Sequence, residues 1–338
     1  MRIGLSYDLK EEVLLKQEQR LINNPPEDAL EEYDSLGTVE AIAVALEAQE
    51  HSVVKLGGGR DFLLNILREK VDLVFNIAEG LGNYRSREAQ VPSVLEMLDI
   101  PYSGSDPQCL AICLDKPLTK KIVDGAGICT PRWEVVTHGR QLEEISWDNF
   151  PAFIKPAHEG SSKGIRLGSQ VDNWEQMAEV VRGLLELYQQ AVMVEEFIAG
   201  DEVTVGIVGN SPPVVLGAMR ILPKRGGDFI YSLEVKRDWE RMVDYECPAQ
   251  LEASILCQIT DSSLRAFKVL GCRDFARLDF RVSPQGKPYF LEINPLPGLN
   301  PKSSDLPIMA NKMGFNYEAL IAAILGAALE RYPQCVRR

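Results

Sequence analysis

Two stretches near the end of the chain, RLDF at residues 277–280 and LEINPLPG at residues 291–298, carry the most information in this sequence. We predict that both are short strands and that they lie side by side. Within each strand the polar residues are two positions apart, Arg277 with Asp279 and Glu292 with Asn294, so each pair points to one face of a sheet. The four side chains are therefore expected to converge on a single face.

This set of side chains suits a magnesium–phosphate site. Carboxylate and amide oxygens are hard ligands of the kind that Mg²⁺ prefers, which makes Asp279, Glu292 and Asn294 the candidate metal ligands. The guanidinium of Arg277 can hold a phosphate oxygen or an oxyanion that develops during a reaction. The alternative is a plain polar rim on an antiparallel hairpin.

The overall composition is that of a globular protein of two or three domains. The chain has 338 residues, of which 45% are hydrophobic and 25% are charged, as in ordinary soluble proteins. The net charge is −13 and no dense Lys/Arg block is present. This charge pattern argues against a nucleic-acid partner but is compatible with a local basic pocket for an anionic ligand.

The same composition indicates where the protein works. No apolar run is long enough to span a bilayer, and the first residues do not form a basic-plus-apolar leader. The seven cysteines form no CxxC, and none of the three histidines has zinc-ligand spacing from a cysteine pair, so free thiols in a reducing compartment are expected. We therefore predict a cytoplasmic protein without a membrane partner.

The first hundred residues alternate between predicted strands and helices, which implies an α/β unit with a parallel sheet. The strands are at 2–6, 51–56 and 71–76, and the helices are at 38–49, 62–68 and 86–98. Residues 9–35 are polar and acidic and are interpreted as a mobile or partly helical insert.

The rest of the chain mixes strands and helices without strict alternation, which favours an α+β arrangement. We predict strands at 153–156, 165–167, 192–198, 203–208 and 214–219. Helices are predicted to start at Lys116 and to cover residues 174–188 and 317–332.

The second informative segment is KPAHEGSSKG at residues 155–164. Lys155 ends a predicted strand, and the turn that follows contains Ser161 and Ser162 between two glycines. Such a loop can place backbone N–H groups and hydroxyls over phosphates while the lysine neutralises their charge. The alternative is a flexible hairpin connection.

The third segment runs from Glu195 to Glu202. A backbone hinge after an apolar strand can read an adenine edge, and a carboxylate a few residues later can accept hydrogen bonds from ribose hydroxyls. The alternative is a pair of ordinary surface glutamates.

The order of these three features resembles that of ATP-grasp enzymes, and specifically that of the D-alanine–D-alanine ligase family. The resemblance runs from about residue 71 to the C-terminus. It rests on the motifs IPYSGS at 100–105, LDK at 114–116, IKP at 154–156, EGSSKG at 159–164, VEEF at 194–197, ARLD at 276–279 and LEINPLPG at 291–298.

The resemblance implies an ATP-grasp fold with three domains. An N-terminal Rossmann-like domain that binds substrate and forms a homodimer would cover residues 1–115. A central lid domain would cover 116–194 and a catalytic domain 195–338, with the nucleotide held between these two.

The resemblance also implies a role for each matching residue. Arg277 and the backbone N–H of Gly298 would stabilise an oxyanion, and Ser161 and Lys236 would belong to the loops that close over the reacting phosphate. ATP would be bound by Lys116, Lys155, Ser162, Glu195, Glu196, Phe197, Ile198 and Glu202. Two Mg²⁺ ions, for which Mn²⁺ could substitute, would be bound by Asp279, Glu292 and Asn294. Ser303 would hold the carboxylate of the second substrate.

Three departures from the family pattern all concern substrate recognition. After the first strand the chain has no glycine-rich turn, and Glu11 or Glu12 is the candidate for the carboxylate that holds a substrate ammonium. Glu79 and two arginines, Arg85 and Arg87, bring new charges to the first-substrate pocket. Arg237 stands where peptide-forming members have an aromatic residue. It would suit a substrate with an additional carboxylate, or it lies in solvent.

The activity implied is an ATP-dependent ligase that joins two small amino-acid substrates into a dipeptide through an acyl phosphate. The alternatives are an ATP-grasp ligase for other amino acids or a peptide precursor, and an ATP-binding regulator without ligase activity.

Overall fold

The first unit of the fold is a parallel sheet with helices on both faces. The computed structural model describes residues 1–19, 25–224 and 229–335. Strands β1 (Arg2–Ser6), β2 (Ser52–Gly57) and β3 (Leu73–Asn76) pair in parallel in the order β2-β1-β3, which confirms the predicted sheet. The helices of this unit are α1 (Lys10–Gln19), α2 (Leu36–Glu47), α3 (Gly59–Ile66), α4 (Gln90–Met97) and α5 (Pro107–Leu114).

The segment predicted as an insert is partly helical. It begins with α1, and residues 20–24 lie outside the described part of the chain. Residues 27–34 then return to the first unit through turns and a bridge between Leu9 and Asp34.

The second unit is a small antiparallel sheet. After α6 (Lys116–Gly125), strands β4 (Trp133–Val136), β5 (Ala152–Pro156), β6 (Gln170–Val171) and β7 (Val192–Glu196) form a sheet in the order β4-β7-β5-β6, which helix α7 (Trp174–Tyr188) covers. The bounds of α7 match the prediction. Strand β7 continues to Glu196, two residues beyond the expected domain boundary at 194.

The predicted strand at 165–167 is wrong. Residues Leu167–Ser169 form a 3₁₀ turn instead, and the strand β6 begins at Gln170. The hydroxyl of Ser169 accepts a hydrogen bond from the Arg166 N–H at 2.9 Å. A local side-chain bond of this kind competes with the ladder of a sheet, so the backbone turns where the apolar pattern indicated a strand.

The third unit is a larger antiparallel sheet. It contains the stretch RLDF at 277–280 and residues 291–294 of the stretch LEINPLPG. Its strands are β8 (Asp201–Val208), β9 (Val214–Pro223), β10 (Val243–Glu246), β11 (Phe275–Val282) and β12 (Pro288–Asn294), in the order β10-β9-β8-β11-β12. The helices are α8 (Leu233–Arg237), α9 (Trp239–Met242), α10 (Ala253–Val269), α11 (Asp305–Lys312) and α12 (Tyr317–Arg331).

The last helix does not pack with its sequence neighbours alone. Leu320, Ile321 and Ile324 of α12 lie in one apolar core with Ile3 and Leu5 of β1. Burying these side chains contributes roughly 1.5–3 kcal/mol each, so the C-terminal helix fastens the third unit to the first. Among the described helices, none combines the length and the apolar character that crossing a membrane requires.

Candidate active site

The carboxylates and the amide predicted as metal ligands lie together at one edge of the large sheet. In the antiparallel pairing of β11 with β12, Arg277 is opposite Asn294 and Asp279 is opposite Glu292. The side-chain amide of Asn294 lies 3.5 Å from Glu292 Oε1. Directly opposed residues share a face of the sheet, so the predicted convergence is confirmed. The donor set is all oxygen, as Mg²⁺ requires.

Arg277 is held rigidly by two carboxylates. Its Nη2 donates to Asp279 Oδ2 at 2.8 Å and its Nη1 to Asp305 Oδ2 at 3.3 Å. Burial opposes the charge of the guanidinium, but Asp279 and Asp305 raise the pKa of Arg277 well above its usual value. Sequence reasoning missed Asp305, which is buried at the start of α11.

The lysines predicted to bind phosphates lie beside these ligands. Lys116 Nζ is 3.5 Å from Glu292 Oε2, and Lys155 Nζ is 2.9 Å from Glu195 Oε2. Although burial favours the protonated form of Glu292, the ammonium groups of Lys116 and Lys155 lower its pKa to about 2. The Glu292 carboxylate is therefore ionised at neutral pH.

A third lysine was missed by sequence reasoning. Lys120 is fully buried and forms an ion pair with Glu195, while burial lowers its pKa to about 8. It lies four residues after Lys116 in α6, and residues with this spacing share a face of a helix. That spacing was the signal that could have identified it.

A cavity between the two antiparallel sheets has a lining that suits a nucleotide, and we call it the nucleotide cavity. It contains about 710 Å³ of space not filled by atoms, part of which is open to solvent. The rings of Phe153 and Phe197 in its wall have centroids 6.4 Å apart and planes tilted by 33°. Its wall includes eleven of the residues predicted for ATP, metal or catalysis, namely Lys155, Ser162, Glu195, Glu196, Phe197, Ile198, Glu202, Lys236, Arg277, Asp279 and Glu292. An apolar slot that ends in lysines and carboxylates suits a purine triphosphate with a metal.

Glu202 is the residue predicted to accept hydrogen bonds from ribose hydroxyls. It lines the nucleotide cavity, and burial raises its pKa to about 6 although Arg281 Nη2 lies 3.7 Å away. Arg281 in turn lies 4.8 Å from the ring centroid of Phe197. The carboxylate is thus held at the junction of the apolar slot and the charged end.

Two loops meet over the charged end of the nucleotide cavity. The Ser162 hydroxyl donates to the Tyr231 carbonyl at 3.2 Å, and the Leu233 N–H donates to the Ile165 carbonyl at 3.1 Å. Ser161 and Ser162 have φ angles of 50° and 59°, a conformation that costs a residue other than glycine roughly 1–3 kcal/mol. Two strained residues in succession mark a backbone shaped for a ligand.

Lys236, which was predicted to lie near the reacting phosphate, follows the second of these loops. Lys236 lies in the short helix α8. Its Nζ is 5.0 Å from the ring centroid of Tyr231, which precedes that helix. Burial, and then the charge of Arg277, lower the pKa of Lys236. It lines the same cavity as Asp279 and Glu292.

A second cavity adjoins the nucleotide cavity, with Arg277 in the wall of both. It contains about 620 Å³ of unfilled space. Strand β12 passes from one cavity to the other, since Glu292 lines the first and Asn294 the second. The remaining lining includes the predicted residues Ser161, Gly298 and Glu79, together with Glu32, Asp34, Ile77, Glu88, Gly160, Leu296, Pro297 and Leu299.

Three of the residues predicted to bind substrate do not line either cavity, namely Glu11, Glu12 and Ser303. Ser303 is exposed, whereas Ser304 packs against Gly298, where an added Cβ would lie 2.8 Å from the Ser304 hydroxyl. Glu11 is exposed on α1, Glu12 is half-buried there, and neither lines the two cavities.

Arg237 forms ion pairs within the protein. Its guanidinium is 2.5 Å from Glu27 and 2.7 Å from Glu31, and it lines neither cavity. In this arrangement Arg237 is paired with two acidic residues of the 25–34 segment, and its contact with a substrate carboxylate stays a prediction.

Residues 25–34 contact both the loop that contains Lys163 and Gly164 and the first unit. Asp28 accepts hydrogen bonds from the Gly164 N–H at 2.9 Å and from the Tyr188 hydroxyl at 2.7 Å. Glu32 is 3.1 Å from Lys163 and 2.5 Å from Arg87. These partners are far apart in sequence, so no local pattern could have predicted them.

Comparisons with known proteins agree with this geometry. Residues 122–326 match the family model described as D-ala D-ala ligase C-terminus. A D-alanine–D-alanine ligase of Aquifex aeolicus is 38% identical over 292 residues, which cover 86% of this chain and 94% of that protein. An uncharacterized protein of Sinorhizobium fredii is 31% identical, covering 87% of this chain and 88% of the other.

The fold is also found among solved structures. The crystal structure of the D-alanine–D-alanine ligase of Bacillus anthracis complexed with ATP superposes with a TM-score of 0.74 at 24% identity, covering 99% of both chains. At this identity the likeness concerns the fold, and it confirms the predicted ATP-grasp architecture.

Proposed function

The chain belongs to the D-alanine–D-alanine ligase family, and we propose that it is an ATP-dependent ligase that joins the carboxylate of one amino acid to the amine of another. The observation that carries the proposal is the position of Arg277, Asp279, Glu292 and Asn294 at the junction of the two cavities. A nucleotide in the first cavity would direct its terminal phosphate towards a substrate in the second.

The first step would be phosphorylation of a substrate carboxylate. A carboxylate is a poor acyl donor because its leaving group is an oxide, and an acyl phosphate has a better one. Lys116, Lys155 and Lys236 would bind the phosphates and neutralise charge during the transfer. Asp279, Glu292 and Asn294 would hold Mg²⁺, which when bound supplies Lewis-acid stabilisation of the phosphoryl oxygens.

The second step would be attack by a neutral amine on the acyl phosphate, which gives a tetrahedral oxyanion and then releases phosphate. Arg277 and the backbone N–H of Gly298 line the cavity in which that oxyanion would form. An oxyanion donor is worth roughly 2.7–4 kcal/mol. The joined loops at Ser162 and Tyr231 would exclude water, which otherwise hydrolyses the acyl phosphate.

Several further features belong to the same proposal. The donor set suits two Mg²⁺ ions, with Mn²⁺ as a substitute. The partners are small amino-acid substrates, not nucleic acid and not a membrane. A homodimer through the first unit and a cytoplasmic location remain predictions, and the oligomeric state is measurable by light scattering.

The test is ADP release with ATP, Mg²⁺ and a panel of D- and L-amino acids, alone and in pairs. We expect release that requires an amino acid, and a dipeptide detectable by mass spectrometry. Asp279→Ala and Glu292→Ala should abolish release while part of the ATP binding persists. Glu318→Gln, an exposed carboxylate on α12, is the control. ATP binding without release for any pair would favour a regulator over a ligase.

A further inference from the structure

The lining of the second cavity contains more carboxyl groups than cationic groups. Its lining contains four carboxylates, those of Glu32, Asp34, Glu79 and Glu88, and a single cationic side chain among the described residues, that of Arg277. The ionic partners of each group decide which of these charges are left for a ligand.

Glu32 is fully compensated inside the protein. Its carboxylate lies 2.5 Å from Arg87 Nη2 and 3.1 Å from Lys163 Nζ. Glu159 completes the group, 3.2 Å from Arg87 and 2.7 Å from Lys163. Two carboxylates and two cations therefore form a buried neutral quartet.

Arg277 is equally committed. It binds Asp279 and Asp305, neither of which lines the second cavity. Its charge is thus balanced from the nucleotide side and offers no compensation to the other carboxylates.

Asp34, Glu79 and Glu88 remain. Among the side chains that the structure describes, which leave out those of residues 16–24, 225–228 and 336–338, none hydrogen-bonds to these three carboxylates and no cationic group lies within 4.0 Å of them. Glu88 is only 8% exposed, yet its side chain lines the cavity. Arg87 and Lys116 favour the ionised form of Glu88 only from beyond ion-pair distance. Burying a carboxylate without a hydrogen bond or a close ion pair is costly, so its occurrence in a cavity wall points to a cationic ligand.

The titration of the three groups reflects the same surplus. Burial raises the pKa of Glu88 to about 7, and burial together with Asp8 raises that of Asp34 to about 7. Burial, and then Glu88 and Glu32, raise the pKa of Glu79 well above its usual value. Each carboxylate makes the ionisation of its neighbours less favourable.

We propose that one of the two amino-acid substrates carries a second basic nitrogen on its side chain, and that this ammonium group binds at Glu79 and Glu88. This inference rests on the proposed ligase function. The attacking amine must be neutral, so a pair of neutral amino acids brings a single ammonium group to the second cavity. A diamino acid brings a second ammonium group, which would favour the ionised form of Glu79 and Glu88.

Matched pairs of amino acids isolate the contribution of the second charge. Ornithine and norleucine have side chains of the same length and differ by an ammonium group in place of a methyl group. Diaminobutyrate and norvaline form a second such pair. With ATP and Mg²⁺, and with both D and L forms, we expect at least one basic member to show a kcat/KM ten or more times that of its neutral match.

Variants of the cavity show whether the preference arises there. Glu88→Gln and Glu79→Gln keep the shape of the side chain and remove its charge. Each should lower the ratio of basic to neutral kcat/KM by about tenfold, which corresponds to about 1.4 kcal/mol. Glu318→Gln should leave the ratio unchanged. Circular dichroism and ATP binding establish that each variant is folded.

Calorimetry with the same amino acids, in the presence of a nonhydrolysable ATP analogue, separates this inference from the ligase proposal. Tighter binding of a basic amino acid, reduced in Glu88→Gln, supports it even if no ADP is released with any pair. Equal or tighter binding of the neutral match throughout the panel overturns it. So does binding of Mn²⁺ without nucleotide that Glu88→Gln abolishes, because the carboxylates would then form a metal site.

Discussion

In the absence of substrate, replacement of Glu88 by Gln should stabilise the protein, although it removes a charge from the second cavity. Glu88 is buried, and its pKa is about 7 in the folded chain against an ordinary value of 4.5. An acid with a raised pKa is penalised on folding once the pH exceeds its unfolded value, and the full penalty applies above its folded value. Stability should therefore fall as the pH rises from about 4.5 to about 7.

The size of the effect follows from these two pKa values. At 1.36 kcal/mol for each pH unit between them, the ionised carboxylate costs roughly 3 kcal/mol. Unfolding entropy is about 2.1 cal/mol/K per residue, which for 338 residues gives about 0.7 kcal/mol/K. If the whole chain unfolds together, Glu88→Gln should raise the Tm by about 4 °C at pH 8.

The assay is calorimetric melting at pH 8 and pH 5, with Glu318→Gln as the matched control. The gain should be present at pH 8 and nearly absent at pH 5, where Glu88 is protonated in the folded chain. An unchanged or lower Tm at pH 8 would refute the reasoning, because Glu88 would then have a stabilising partner. An equal gain at both pH values would point to packing instead of charge.

Three further substitutions test other parts of the site. Asp305→Asn weakens the support of Arg277, and we expect kcat for ADP release to fall at least tenfold while the KM for ATP changes little; a change confined to that KM would contradict the assigned role. Lys120→Met leaves Glu195 with Lys155 as its partner. The free energy of unfolding, measured with urea, should fall by up to about 3 kcal/mol, the low end for a broken buried pair. The KM for ATP, measured from initial rates, should rise. Tyr188→Phe removes a hydrogen bond to Asp28 worth about 1.5–3 kcal/mol with a charged acceptor; the loops should open more often and ADP release without dipeptide should increase, whereas unchanged coupling would show that the 25–34 segment does not control the loops.

The strands and helices that local patterns specify were predicted well. Strands β11 and β12 show the polar alternation from which their shared face was inferred, because side chains alternate with a period of two in any strand. Helix α7 begins as predicted because Asn173 caps its first turn by accepting a hydrogen bond from the Gln176 N–H, and it ends as predicted where Gln189 adopts a left-handed conformation. Local signals of this kind depend on a few consecutive residues.

Contacts between distant segments could not be predicted in the same way. Asp34, Glu79 and Glu88 line the second cavity together, and only the tertiary fold brings them there. The pairing of Arg237 with Glu27 and Glu31 has the same origin. Sequence alone could indicate that charges were present near the substrate, but not which of them compensate each other.

The most direct test of the account is the binding of Mn²⁺ to the ATP complex, followed by electron paramagnetic resonance. We propose that Asp279, Glu292 and Asn294 bind the metal. Lys116 and Lys155 would bind the phosphates beside it. The account predicts that Mn²⁺ binds with ATP and that Asp279→Asn and Glu292→Gln each weaken metal binding while ATP still binds. Undiminished Mn²⁺ affinity in both variants would contradict it.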